Sequence, residues 1–299
     1  MFPRLKDNQV VRNKYGYYEL AQKPTNGELK RYYSERYYQE AKGGYQQEYS
    51  ADEVVYFKNK TEQKYQVIEK IFSLSDGRAR TSLLDIGSGE GWVLHFFKEK
   101  GWQVAGVDFS EFGCKKFNPD CVDDVRTGDL YENLQVLIDA RETFDVIWLD
   151  NVLEHIIDPL LSLQLCRGLV SDGGVLVVEV PNDFSLIQEY ALQKGYVAKE
   201  FWVALPDHLS YFNKAGLTAL AKEARWKCSK IIGDFPIDFN LINTSANYIA
   251  DPAKGKACHR ARVEIENLLH GVSVEKTIAF YETLANLGLG RQIIGFFVC

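Results

Sequence analysis

No run of residues in this chain approaches the ~18 consecutive apolar positions of a membrane-spanning helix. The opening segment, MFPRLKDNQVVRNK, lacks the apolar stretch of a secretory leader, so no leader and no membrane partner are expected. Positive charge is not in excess either. With 35 Lys and Arg against 41 Asp and Glu the net charge is −6, which excludes the broadly basic surface of a general nucleic-acid binder. The six cysteines (Cys114, Cys121, Cys166, Cys228, Cys258 and Cys299) form no C-x-x-C pair, and there are only five histidines, so no metal site is expected. Scattered thiols in a chain without a visible leader fit a reducing cytoplasm and read as small buried hydrophobes. Internal repeats and low-complexity linkers are missing as well.

What remains is a chain of 299 residues, 46% apolar, long enough for one large domain or a core domain with appendages. Eleven of its seventeen tyrosines fall within residues 1–65. There, GELKRYYSERYYQEAK reads as a helix with Tyr33 and Tyr37 on one face, broken by Gly43-Gly44. TEQKYQVIEKIF places Tyr65, Ile68, Ile71 and Phe72 at helical spacing. Residues 1–75 are therefore expected to form a Tyr-rich helical cap, and 76–299 the main domain.

In that domain the pattern turns to alternation. SLLDIG, WQVAGVDFS, a weaker CVDDVRTGDL, FDVIWLD and GGVLVVEVPND read as five strands separated by helices, which predicts a parallel sheet covered on both faces. A helix opened by Asn213, a sixth strand KCSKIIGDF and a final strand RQIIGFFVC follow. The stretch 236–290 between those last two strands reads as a helical insert, with Val263, Ile265, Leu268 and Leu269 for packing. It suits either a lid or a homodimer contact.

The chemistry gathers at strand ends. LLDIGSGEGW carries glycines at 87, 89 and 91, the spacing G-x-G-x-G rather than the dinucleotide fingerprint G-x-G-x-x-G. Glycines let a ligand approach the backbone at a helix start. Asp85 just before the turn would repel a pyrophosphate but would serve an ammonium or a sulfonium. Asp108, ending the second strand, has two oxygens suited to a pair of ribose hydroxyls. Asp129, after the third, would accept from an adenine amino group. Alone, Asp129 reads better as a helix N-cap; three acids on three successive strand ends are more specific than any one. Asn151-x-x-Glu154 has the spacing of a capping box, and Asp158-Pro159 that of an N-cap and first-turn proline.

LLDIGSGEGW, VAGVDFS, TGDL, FDVIWLDNVLEHIIDP and GGVLVVEVPN resemble, in order and spacing, the motifs of class I S-adenosylmethionine-dependent methyltransferases, most closely the branch of the ubiquinone-biosynthesis O-methyltransferases. The resemblance spans about 81–232 and the last strand. It implies a Rossmann-like α/β fold with a seven-stranded sheet whose last strand is antiparallel, and S-adenosyl-L-methionine as the cofactor. It places Asp85, Gly87, Ser88 and Gly89 at the methionine end, and Asp108 with Phe109 at the ribose. Gly128, Asp129 and Leu130 fall at the adenine, and Asp150 and Asn151 near the reacting centre.

A hydroxyl nucleophile would also need a base. His155 and His208 follow strand ends and titrate near neutrality, although His155 also fits the first turn of a helix. Tyr211 would hydrogen-bond the substrate, and FWVALPDHLSYF clusters aromatics as a ligand wall would. The expected acceptor is a small molecule methylated on oxygen, first a sugar or sugar-nucleotide of surface-polysaccharide assembly, second a quinone-like metabolite. The rivals are an NAD-dependent oxidoreductase, which predicts the missing G-x-G-x-x-G, and a non-catalytic S-adenosylmethionine-binding protein.

Overall fold

The computed structural model describes residues 10–25, 27–29, 48–74 and 79–299. Two three-residue strands, β1 (Val10–Arg12) and β2 (Tyr18–Leu20), precede a long helix, α1 (Ala51–Ser73). Strands and helices then alternate: β3 (Ser82–Ile86), α2 (Trp92–Glu99), β4 (Gln103–Asp108), α3 (Phe112–Phe117), β5 (Val125–Thr127), α4 (Leu130–Asp139), β6 (Phe144–Asp150), α5 (Pro159–Leu169) and β7 (Val170–Pro181). After α6 (Leu186–Gln193) come β8 (Ser210–Tyr211), α7 (Lys214–Glu223), β9 (Lys227–Gly233), α8 (Gly255–Val272), α9 (Val274–Asn286) and β10 (Gln292–Val298).

Seven of these strands form one sheet in the order β5-β4-β3-β6-β7-β10-β9. The last strand in sequence, β10, inserts between β7 and β9 and runs antiparallel to both, as the family resemblance implied. The pleat sends neighbouring residues to opposite faces. Leu84, Ile147, Leu149 and Phe297 pack on one face with Leu134 of α4, Leu163 of α5 and Leu217 of α7. Leu83, Val146, Trp148 and Phe296 pack on the other with Ile68 of α1, Phe97 of α2 and Tyr281 of α9. The centre of FDVIWLD, Val146–Leu149, is apolar throughout because both faces are covered. Asp158 caps α5, accepting from the Leu161 N–H with Pro159 in the first turn, and Asn213 caps α7 by accepting from Gly216.

Three local features differ from the sequence reading. β2 pairs with β1 on one side and β8 on the other in a small antiparallel sheet; strands of two or three residues carry too few positions to show a period. No helix begins at Asn151, so Asn151 and Glu154 form no capping box: residues 151–158 make turns, and the helix starts at Pro159. His155 is therefore not in a helical first turn. Beyond helical residues 27–29, the Tyr-rich segment read as a helix lies outside the described residues.

The β1–β2 hairpin rests on the first turn of α7. Asn213 donates to the Gly16 carbonyl, and a Cβ on Gly216 would stand 2.6 Å from Tyr17 Cβ and 2.8 Å from the Tyr17 nitrogen. Gly216→Ala is therefore expected to destabilise the fold by about 1–3 kcal/mol, the usual cost of overpacking. A lowered urea midpoint at unchanged slope would show this; an unchanged midpoint would contradict the close approach.

Candidate functional site

A cavity of about 530 Å³ opens at the carboxyl ends of β3 and β6, where ligands of open α/β sheets bind. Its floor is the glycine turn with Asp85, Asp150 and Asn151, and its roof is made of α1 and α8. The turn is tight because of its glycines: Gly87, Gly89 and Gly91 have φ of +76°, +50° and +78°. A Cβ on Gly87 would fall 2.3 Å from Val152 Cγ2. Three of the turn's N–H groups are already used. Gly87 and Ser88 donate to the Val107 carbonyl at 2.7 and 3.3 Å, and Gly89 donates to Asp108 Oδ2 at 2.8 Å. A pyrophosphate nest needs such groups directed at the ligand. This turn is instead a shaped wall that ties β3 to β4.

The electrostatics of the roof were not read from the sequence. Lys60 and Lys64 point down from α1 and are almost wholly buried. Lys64 is paired with Asp150 and Glu179. Lys60 lies 3.2 Å from Glu179 and 3.7 Å from Asp234. On α8, Arg262 lies 3.7 Å from Asp234 and 3.1 Å from Glu266, and it donates to the Tyr56 hydroxyl. Burial alone would pull both lysines down and push the acids up, but the ion pairs reverse this for three groups. Both lysines are held above their ordinary value, and Glu179 is held down to about 2 by Lys60 and Lys64. Asp85 goes the other way. Burial, then Asp150 and Asp108, push it well above the usual carboxylate range, with Lys64 opposing.

Beside this network stands an aromatic wall. Tyr49, Phe57 and Trp92 meet one another with centroids 4.9–6.0 Å apart. Glu90, within the glycine motif, accepts from the Tyr49 hydroxyl at 2.8 Å and from Trp92 Nε1 at 2.7 Å. His259 of α8 completes the mouth, its Nε2 3.2 Å from Glu53 Oε1.

Of the residues singled out in the sequence, Asp85, Gly87, Ser88, Gly89, Asp150 and Asn151 are brought together in this cavity. Asn151 sits in the left-handed region (φ +53°) and its Oδ1 accepts from Gln292. Asp108, Phe109, Gly128, Asp129 and Leu130 stand at the neighbouring ends of β4 and β5, beyond the lining of this cavity. Asp129 caps α4, accepting from Tyr131 and Glu132 through Oδ1.

His155, His208 and Tyr211 do not line the cavity. They form a second group with Glu154, beside the small sheet. His155 Nδ1 donates to the Asp207 carbonyl at 2.8 Å, the two imidazoles meet edge to face at 4.9 Å, and the Tyr211 hydroxyl donates to the His208 carbonyl. Ligand atoms of Glu154, His155 and His208 lie within 4.8 Å of one another, a grouping that would suit a cation.

The functional residues missed were Glu53, Lys60, Lys64, Glu90, Glu179, His259 and Arg262. Three left a trace in the sequence. Glu179 is a lone acid inside the apolar run GGVLVVEVP, where an unpaired charge would be costly. Lys60 and Lys64 share a helical face at i,i+4 spacing.

Comparison with known proteins agrees with this geometry. The profile of a methyltransferase domain family matches residues 58–230. A ubiquinone biosynthesis O-methyltransferase of Shewanella halifaxensis is 26% identical over 184 residues, covering 60% of this chain and 75% of the relative. One from Rhodopseudomonas palustris strain HaA2 is 33% identical over 187 residues, covering 55% and 71%. The crystal structure of a SAM-dependent methyltransferase from Archaeoglobus fulgidus superposes with a TM-score of 0.52 at 20% identity, covering 84% of this chain and 95% of that one, which shows a shared fold.

The half-buried histidine pair gives a pH test. Burial, then His155 and Arg291, lower His208 to about 4. Between pH 6.5 and 4 the unfolded chain therefore binds a proton that the native chain refuses, and stability falls as the pH drops. His208→Gln should flatten that part of a stability-against-pH curve measured by urea unfolding. A curve of unchanged slope would show that His208 is not buried as described.

Proposed function

Because the chain belongs to the class I S-adenosylmethionine-dependent methyltransferases, we propose that the cavity under α1 and α8 is where the methyl donor and its acceptor meet. S-adenosylmethionine carries a carboxylate, an ammonium and a sulfonium at one end and a ribose and adenine at the other; when bound, it supplies an electrophilic methyl group. The cavity has a partner of each sign. Lys60 and Lys64 are charged and buried, within reach of a carboxylate, and Asp85 and Asp150 answer the cationic groups. Asp108 stands one strand over, its Oδ2 engaged with Gly89 and its Oδ1 with Ser110. Each oxygen keeps a lone pair for a ribose hydroxyl. Phe109, Gly128, Asp129 and Leu130 continue the line toward an adenine. The single observation that carries the reading is the gathering of the glycine turn, Asp85 and Asp150 with Lys60 and Lys64 in one cavity, which matches a donor bearing charges of both signs.

We infer oxygen as the methylated atom and a hydroxyl-rich ring, such as a sugar or sugar-nucleotide, as the acceptor. Two observations support this. Gln292 Oε1 is buried in the lining without a hydrogen-bond donor among the described residues, which favours ligands that donate. Tyr49, Phe57 and Trp92 offer flat apolar faces to a ring. The O-methyltransferase names of the relatives support the choice of oxygen. His155, His208 and Tyr211 keep a proposed role at the edge of the acceptor site, through the Glu154 group. Among the described residues no helix is long and apolar enough to cross a membrane, and none of the six cysteines is bridged. Both facts support a cytoplasmic small-molecule enzyme.

Calorimetric titration tests the donor. The chain is expected to bind S-adenosylmethionine and not NAD; the reverse result would overturn the reading. Asp108→Ala removes hydrogen bonds to a charged group, worth about 1.5–3 kcal/mol, and should weaken S-adenosylmethionine by roughly ten- to a hundredfold. An unchanged affinity would remove the ribose assignment.

A further inference from the structure

Resting on the O-methylation reading, we propose that His259 is the proton acceptor for the methylated hydroxyl and that Glu53 is its positioning residue. Of the five histidines, only His259 lines the cavity that holds Asp85, the glycine turn and Asp150. It reaches that place from α8, while Glu53 reaches it from α1, 206 residues away in sequence. The pairing therefore exists only when both roof helices are in place.

The pair is built to orient an imidazole. Glu53 is the third residue of a capping box: its Oε2 accepts from the Ser50 N–H at 2.9 Å and from the Ser50 hydroxyl at 2.8 Å. Those two bonds fix the carboxylate and hold it below its ordinary pKa, so Glu53 is an anion that can only accept. Its Oε1 faces His259 Nε2. The proton of the neutral ring must then sit on Nε2, and the lone pair is on Nδ1, which makes no hydrogen bond among the described residues. A base oriented by a fixed carboxylate is the general arrangement for activating a hydroxyl.

The other titratable groups in the cavity are less suited. On α1, Lys60 and Lys64 are held as cations by their acids, as is Arg262 on the same helix as His259. On the floor, Glu179 is held as an anion by both lysines, Asp150 is paired with Lys64, and Asp85 is pushed toward its neutral form. Glu90, on the turn, already accepts from Tyr49 and Trp92. His259 offers a lone pair at the mouth of the cavity. Its side chain is 42% exposed at the mouth, so the proton it takes can pass to solvent. Phe57 stands one helical turn from Glu53 on α1, presenting an apolar face beside the pair.

The step balances as follows. The acceptor O–H bond breaks and its proton passes to His259 Nδ1. An O–CH₃ bond forms as the S–CH₃ bond breaks, and that electron pair stays on sulfur, leaving a neutral thioether. The shared acceptor chemistry is a ring with vicinal hydroxyls, which either a pyranose or a catechol provides.

The test uses the full chain with S-adenosylmethionine and fixed probes: UDP-glucose, GDP-mannose and dTDP-rhamnose in one arm, 4-nitrocatechol in the other. S-adenosylhomocysteine release is followed from pH 5.5 to 9. The wild-type chain should methylate a probe in one arm, which then identifies the kind of ring. His259→Asn should lower kcat on the order of a hundred- to ten-thousandfold, with S-adenosylhomocysteine affinity by calorimetry within twofold of wild type. Glu53→Gln keeps a capping-box side chain but removes the charge that orients the imidazole, and should lower kcat on the order of tenfold or more with acceptor KM and S-adenosylhomocysteine affinity within twofold of wild type. Turnover of no probe, full activity in His259→Asn, or an unchanged kcat in Glu53→Gln would each overturn the proposal. Failure of the wild-type chain to bind S-adenosylmethionine would instead overturn the reading on which it rests.

Discussion

Two lysines buried on the inner face of α1 govern the rest of the site. Taking an ammonium out of water costs several kcal/mol even after relaxation, so α1 could not lie on the sheet with Lys60 and Lys64 inward unless anions waited there. Glu179 from β7, Asp150 from the tip of β6 and Asp234 after β9 provide them. The dependence runs both ways, since those carboxylates sit at the ends of fully covered strands. Arg262 and Glu266 extend the network to α8, which thereby joins the roof. The folded-state value of about 2 for Glu179 lies below its ordinary 4.5. Its stabilisation is therefore complete above pH 4.5 and is lost as the pH falls toward 2. At neutral pH the roof is closed by charge as well as by packing.

The same network explains why the cavity is polar on one side and aromatic on the other. Charged residues of α1 face the strand ends, while Phe57 faces Trp92 on α2. A donor with charges of both signs matches the first side. A ring matches the second. The glycine turn between them contributes shape, since β4 has taken the N–H groups of Gly87, Ser88 and Gly89.

The fold was largely legible in the sequence. Apolar runs such as FDVIWLD, punctuated by Gly91, Gly101 and Asn213, announced strands and helices because both sheet faces are covered. The floor of the site was legible for a related reason: strand ends are marked by the same punctuation, so Asp85, Asp108, Asp129 and Asp150 could be placed in order. The roof was not. Which face of α1 turns inward depends on partners more than a hundred residues away, as Lys60 and Glu179 show, and a lone sequence carries no record of such pairs. Likewise, His259 looked like one polar residue on an amphipathic helix until Glu53 was seen opposite it. His155 and His208 drew attention by following strand ends, yet the turns after Asn151 carry His155, and the segment before β8 carries His208, toward the small sheet and away from the cavity.

The account's central claim is that the donor lies beneath α1 and α8, held by the charged network on one side and the glycine turn on the other. The direct measurement is a crystal structure of the chain with S-adenosylhomocysteine. The account predicts its amino-acid end among Asp85, Lys64 and Asp150 with the ribose at Asp108. Density at the Glu154–His155–His208 group, or anywhere outside the cavity roofed by those helices, would contradict it.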